Sequence, residues 1–233
     1  MSGLGQRQLP LPVQLRDEAN LENFLALPAT RPLLNALARQ LDGAGEPVIY
    51  LFGAGGTGKS HLLQASCHRA GVGSLYLPLA ELADFSPDEV LQGIETLDLV
   101  CLDDVHQVLG DPEWELALFN LYNLAGEQNC RLLVAGNAAP RALRMDLADL
   151  RSRLGWGVVF QLAQANDEDK IAILQFRATR RGLLLSAEVA AFIVNRAPRG
   201  MDALLAMLAL LDNASLVEQR ALSIPFVKQV LGW

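Results

Sequence analysis

Gly53-Ala54-Gly55-Gly56-Thr57-Gly58-Lys59-Ser60 satisfies the pattern G-x-x-x-x-G-K-[ST] at every specified position. Pro47-Val48-Ile49-Tyr50-Leu51-Phe52 before it is an apolar run suited to a buried strand, and His61-Leu62-Leu63-Gln64-Ala65-Ser66-Cys67 after it reads as helix. Strand, glycine-rich loop and helix are the context a phosphate-binding loop requires. The glycines let successive backbone N–H groups turn toward a phosphate, and the helix N-terminus adds its positive dipole end. Lys59 is then expected to neutralise the β/γ oxygens and Ser60 to help hold Mg²⁺, so the chain is read as a binder of ADP or ATP.

Outward from this loop, runs of strand length alternate with helical periodicity: Val48 to Phe52, Ser74 to Leu79, Leu97 to Leu102, Arg131 to Ala135 and Val158 to Gln161. That alternation predicts an α/β fold with a five-stranded parallel sheet covered by helices. Ser86-Pro87-Asp88-Glu89 reads as a capping box with proline at the first helical position. Asp111-Pro112 opens a helix that carries Trp114, Leu118, Leu121 and Tyr122. Beyond about Ala165 only helical patterns remain. Asp167 is expected to cap a helix ending at Gly182, and Ser186 one stopping before Pro198; two more are expected over 200–214 and 225–231. The division expected is 1–17 as an N-terminal arm, 18–164 as the nucleotide-binding base and 165–233 as a helical lid.

Leu99-Val100-Cys101-Leu102 runs into Asp103-Asp104, an apolar strand ending in two carboxylates. Ligand chemistry in open parallel sheets gathers beyond the carboxyl ends of the strands, which places Asp103 to bind Mg²⁺ and Asp104 to orient or deprotonate a water. Leu132-Leu133-Val134-Ala135 ends similarly at Gly136-Asn137, which brings the Asn137 amide to the same edge, near a γ-phosphate or its attacking water.

With 51% hydrophobic and 19% charged residues, the chain can bury a full core and is not of disordered composition. Three cysteines, Cys67, Cys101 and Cys130, lie at wide spacings with no C-x-x-C pair, and read as reduced core thiols rather than a disulfide or zinc framework. Arg7 precedes only a proline-rich, mildly apolar stretch, unlike a secretory leader. The apolar segment from Ala203 to Leu211 is far too short for a bilayer. These features lead to the expectation of a cytoplasmic protein without membrane association. The formal charge of −7 argues against a large nucleic-acid footprint and toward a protein partner.

Taken together, Gly55 to Leu63, Asp103-Asp104, Gly136-Asn137 and Ser152-Arg153-Leu154-Gly155-Trp156-Gly157 resemble the AAA+ core of DnaA, the bacterial replication initiator, over the chain from Leu21 onward. The segment Leu21-Glu22-Asn23-Phe24-Leu25 resembles the part that packs near the adenine in that family. Asn23 and Phe24, with His61 after the loop, join Gly53, Gly55, Gly56, Thr57, Gly58, Lys59 and Ser60 as the expected nucleotide site.

No helix-turn-helix follows the lid pattern, and Gln8-Leu9-Pro10-Leu11-Pro12-Val13 is similar to the short peptide by which proteins dock on the bacterial sliding clamp. Gln8, Leu9, Leu11, Pro12 and Val13 are the expected clamp contacts, on a segment that its prolines stiffen. These features together resemble the Hda family of DnaA-related regulators. The resemblance implies a negative regulator of replication initiation at the nucleoid, ADP-bound and associated with the clamp of DNA polymerase III. It implies no sequence-specific DNA binding, weak ATPase activity and a capacity to form homo-oligomers.

In that family's mechanism Arg153 would act in trans as the arginine finger on ATP held by DnaA, with Arg151 as a possible substitute. Asp202 stands where the initiator's lid carries its sensor-2 arginine; either Arg199, about one turn away, reaches the phosphates in its place or the γ-phosphate contact is lost. Two other readings stay open: an ATP-driven loader of replication factors, and a clamp-bound adaptor without catalytic contribution.

Overall fold

In a computed structural model, whose described residues are 15, 16 and 18–233, the five apolar runs become five parallel strands. In chain order the elements are α1 (Arg31–Leu41), β1 (Val48–Phe52), α2 (Lys59–Ala70), β2 (Ser74–Pro78), α3 (Leu79–Leu82), α4 (Pro87–Leu91), β3 (Leu99–Asp103), α5 (Pro112–Gln128), β4 (Arg131–Gly136), α6 (Ala148–Leu154), β5 (Val158–Gln161), α7 (Asp167–Arg180), α8 (Ala187–Arg196), α9 (Met201–Glu218) and α10 (Ile224–Leu231). The sheet order is β2-β3-β4-β1-β5, with Val48 opposite Leu132 and Phe52 opposite Gly136.

The central strands read as continuous apolar runs because both faces of the sheet are covered. Side chains alternate between two cores. Tyr50, Val100, Leu102, Leu132 and Val134 pack with Trp114, Leu118, Leu121 and Tyr122 of α5. Ile49, Leu51, Leu99, Cys101, Leu133 and Ala135 pack on the other face with Leu33 and Leu37 of α1 and Leu62, Leu63 and Cys67 of α2. The three cysteines are free and buried. No described helix is long and apolar enough to cross a membrane.

The chain divides into two compact units. The first comprises the described residues through Phe24, Ala29–Ala54 and Gly58–Leu162; the second comprises Leu25–Pro28, Gly55–Thr57 and Ala163–Trp233. Helices α7 to α10 have a core of their own, centred on Leu174, Ala178, Ile193, Leu204, Leu208, Leu211 and Phe226. Burying such a side chain fully contributes about 1.5–3 kcal/mol, and that cluster holds the helical unit together.

Several helix ends differ from the expectations. α4 does begin at Pro87, but Ser86 makes no side-chain capping bond. α7 is capped by Asn166, whose side chain accepts from the Asp169 N–H in a reciprocal box, and Asp167 is its first helical residue. Asn and Asp cap almost equally well, so the two adjacent residues could be separated only by geometry. That helix ends at Arg180, and α9 continues to Glu218, beyond the expected end at 214. Asp111 caps α5 through the N–H groups of Glu113 and Trp114, and Ser186 caps α8 through that of Val189.

One buried carboxylate ties the first unit together. Glu115 on α5 is 2% exposed and accepts from the N–H groups of Gly110 (2.8 Å), Asp146 (3.0 Å) and Leu147 (2.7 Å). It thereby fixes the loop that leads into α6. Glu115→Gln replaces one acceptor oxygen by an NH₂ facing N–H donors. It is expected to lower the stability of this unit by roughly 2–4 kcal/mol, read as a fall in the urea midpoint at unchanged slope.

Candidate functional site

The carboxyl ends of β1, β4 and β3 are neighbours in the sheet, so the segments that follow them meet along one edge. From β1 comes the loop 53–60. Gly56 and Gly58 adopt φ of +73° and +95°, a region that side chains other than glycine enter with strain. Gly58 is required a second time, because a β-carbon there would stand 2.9 Å from Cε2 of Phe24. Lys59 is the first residue of α2 and Ser60 the second. The Lys59 ammonium, buried in the loop mouth, donates to the carbonyls of Gly53 (2.8 Å) and Ala54 (2.9 Å). Burial pulls its pKa below the ordinary lysine value, and the nearby carboxylates of Asp104 and Asp103 oppose that pull.

Asp103 ends β3 and is 1% exposed. Its Oδ2 accepts from the Tyr76 hydroxyl at 2.8 Å and its Oδ1 from the Asp104 N–H at 3.0 Å. Each oxygen has a second lone pair, so Asp103 retains acceptor capacity for a cation. Asp104 adopts φ of +53°, a left-handed conformation that aspartate tolerates better than most residues. Burial and the Asp103 charge raise its carboxyl pKa, while His106 and Lys59 act the other way. His106 Nδ1 lies 4.0 Å from Asp104 Oδ1, and burial holds the imidazole below its usual pKa. From β4, Asn137 emerges exposed just after Gly136. A β-carbon at Gly136 would clash with the Tyr50 hydroxyl, which pins the following segment by donating to the Ala138 carbonyl at 3.0 Å.

The segment before α1 closes one side of the loop. Asn20 caps the short 3₁₀ turn Leu21–Asn23, its carbonyl lies 3.0 Å from His61 Nε2, and Phe24 packs against the His61 ring at 5.8 Å. The Asn23 amide donates to the Glu18 carbonyl at 2.9 Å, so it shapes this turn, while the Phe24 ring is the part that touches the loop. In the helical unit, Arg199 is exposed just ahead of α9, and Asp202 occupies its first turn. Within that same unit Asp202 lies beside the loop tip: a β-carbon on Gly56 would stand 3.4 Å from its Oδ2.

A separate cleft of about 670 Å³ opens at the opposite ends of the strands, lined by Val48, Asp98, Tyr122, Arg131 and Trp156 among others. It contains none of the loop residues. Ligands of parallel sheets gather at the carboxyl ends, so the loop edge is the candidate nucleotide site.

The two arginines of α6 behave differently. Arg151 is committed within its own unit, its Nη2 donating to the Met145 carbonyl at 2.6 Å. Arg153, half-buried on the last turn, makes no hydrogen bond among the described residues beyond those of its backbone, and its guanidinium lies 5.0 Å from the centre of the Trp156 ring. Gln8, Leu9, Leu11, Pro12 and Val13 lie outside the described residues. Sequence reasoning gave no role to Tyr76, His106 or Glu115. For Glu115 a signal was present: it shares an i, i+3, i+7, i+10 stripe with Leu118, Tyr122 and Ala125, an unusual place for a solvated charge.

Residues 167–231 match the family model described as "Hda, lid domain". A protein of Haemophilus influenzae, described only as uncharacterized, is 42% identical over 230 residues, which cover 97% of this chain and 99% of that one. Domain III of DnaA from Thermotoga maritima superposes with a TM-score of 0.78 at 19% identity, over 94% of this chain and 98% of that chain. AMPPCP-bound DnaA from Aquifex aeolicus gives 0.71 at 23% identity, over 84% and 66%. At such identities the structural matches speak for the fold: a parallel α/β base followed by a helical lid.

Proposed function

We propose a function from one premise: the chain belongs to the family of Hda-like homologues of DnaA, AAA+ proteins in which a parallel α/β base carries a helical lid. It is a DnaA-related replication regulator. Its finer action, in this reading, is to stimulate hydrolysis of ATP held by DnaA, with Arg153 supplying positive charge in trans while the N-terminal arm holds the protein on the sliding clamp. The observation that carries the reading is the difference between two arginines of α6: Arg151 is tied to Met145, while the Arg153 side chain makes no hydrogen bond among the described residues.

The chain's own nucleotide has a structural role in this scheme. Backbone N–H groups of the loop and the Lys59 ammonium bind the phosphates, Lys59 exchanging its bonds to Gly53 and Ala54 for phosphate oxygens. Phe24 and His61 bound the loop on the side where the base would lie. Ser60 and Asp103 suit Mg²⁺, a hard cation that takes oxygen donors and would neutralise phosphate charge there. Asp202 stands where the initiator's lid carries its sensor-2 arginine, and that replacement supports ADP rather than ATP as the bound nucleotide.

The test follows radiolabelled ATP pre-bound to DnaA, with DNA-loaded clamp, in the presence and absence of this protein. Accelerated hydrolysis that requires both clamp and protein supports the reading. Vigorous hydrolysis by the protein alone, stimulated by single-stranded DNA, would move it to the loader class.

Docking carries its own prediction. The wild type is expected to bind clamp with an affinity on the order of micromolar, about −8 kcal/mol, and changing Gln8, Leu9 and Leu11 together to alanine is expected to eliminate that binding and leave ADP affinity unchanged. Co-elution of the triple variant with clamp would place the docking surface elsewhere.

A further inference from the structure

Trp156 is 69% exposed, and its large apolar surface is not absorbed by either core of the first unit. Its backbone is nevertheless held at two points. The Trp156 N–H donates to the Arg153 carbonyl at 3.1 Å, closing the turn that ends α6. The next residue, Gly157, packs so closely on the start of β1 that a β-carbon there would collide with the Val48 backbone. The indole is therefore carried on a fixed turn, and its face lies 5.0 Å from the Arg153 guanidinium. The helix itself is fixed by the buried Leu150 and Leu154 and by the tether from Arg151 to Met145. No hydrogen bond or ion pair among the described residues holds the Arg153 side chain.

We propose that Trp156 is a positioning residue for Arg153: the indole face holds the guanidinium on the surface of α6, extended and only partly stripped of water, in the direction in which it meets a neighbouring subunit's nucleotide. The proposal rests on the trans-acting reading of Arg153 above. An unrestrained arginine samples many rotamers and must be ordered during the reaction. One already held over a rigid aromatic loses less freedom, and its N–H donors, free of hydrogen bonds among the described residues, stay available for phosphate oxygens. Stacking of this kind biases an exposed arginine by about two- to fivefold, and misplacement of a charge by an ångström near a transferring phosphoryl costs up to about a hundredfold, so the expected effect lies between, at roughly tenfold.

The experiment compares Trp156→Ala, Trp156→Leu and Trp156→Phe in single-turnover hydrolysis of DnaA-bound ATP with DNA-loaded clamp. The alanine and leucine variants are expected to be about tenfold slower, with half-saturating protein concentration unchanged. Phenylalanine, which keeps a π face, should stay within about threefold of wild type. Leucine retains apolar area without that face and so separates positioning from simple packing.

A second readout uses the isolated protein, in which Arg153→Ala is expected to shift the indole emission and its acrylamide quenching. The same change in a Trp156→Phe background, where only Trp114 and Trp233 emit, should have no effect. Wild-type rates for the alanine and leucine variants, or indole emission indifferent to Arg153, overturn the proposal. So does a loss confined to assembly, which would make Trp156 an interface anchor. If Arg153→Ala is slow while the Trp156 variants are not, the trans-acting reading stands and only the positioning role falls. If Arg153→Ala itself runs at full rate, both fall.

Discussion

Arg153→Ala is expected to remove about 10³- to 10⁵-fold of the stimulated hydrolysis of DnaA-bound ATP, equivalent to roughly 4–7 kcal/mol of transition-state stabilisation. A finger acts on charge that develops only as the phosphoryl group transfers, so the loss should fall on the single-turnover rate. ADP affinity, clamp binding and the concentration needed for assembly should hardly change. The fold should tolerate the change, because Arg153 makes no side-chain hydrogen bond among the described residues. Arg151→Ala gives the contrasting result. It breaks the 2.6 Å bond to Met145 and should lower stability while retaining most of the stimulated rate. Wild-type hydrolysis by the Arg153 variant would reject it as the finger. Arg151 would then be tested, and a double variant with full rate would end the trans-activation mechanism.

Lys59→Ala is expected to weaken ADP binding by at least a hundredfold, about 3 kcal/mol, because the ammonium is the main positive charge in the mouth of the loop. Calorimetry gives the affinity directly, and thermal unfolding gives it by linkage. At a hundred times its dissociation constant ADP stabilises wild type by about 2.7 kcal/mol, or roughly 5–10 °C for a domain of this size, and the variant should lose nearly all of that shift. Without nucleotide the variant should remain folded, since the two sheet faces are packed independently of the Lys59 ammonium. Unchanged calorimetric affinity would remove the basis for a phosphate-binding role of this loop.

The fold was legible wherever a local pattern carried a steric demand. The phosphate-loop consensus required a strand before it and a helix after it, and apolar runs with both faces buried can hardly be anything but central strands. Asp103 at the end of β3 and Asn137 just after β4 followed from the same rule about strand ends. What stayed hidden depended on partners distant in the chain. Tyr76 meets Asp103 because β2 lies beside β3, and Glu115 meets Asp146 and Leu147 because α5 crosses the loop into α6. Neither pairing has a spacing that a linear pattern can express. Asn166 and Asp167 illustrate the opposite limit, two adjacent residues of nearly equal capping strength whose choice is made only when the chain is built. The separate behaviours of Arg151 and Arg153, two residues apart, likewise required coordinates.

The position of β1 in the middle of the sheet bears on how the protein is made. Val48 pairs with Leu132, a separation of 132 − 48 = 84 residues, and Ile49 pairs with Val158 on the other side. A ribosome adding about 5–20 residues per second therefore leaves the newly made strand Val-Ile-Tyr-Leu-Phe without either neighbour for about 4 seconds or more. During that interval it is a short, uncharged, β-prone segment of the kind that pairs with other chains. The same central placement that puts the loop 53–60 in the middle of one sheet edge thus leaves the nascent strand with its backbone N–H and C=O groups unpaired by either neighbour until β4 emerges.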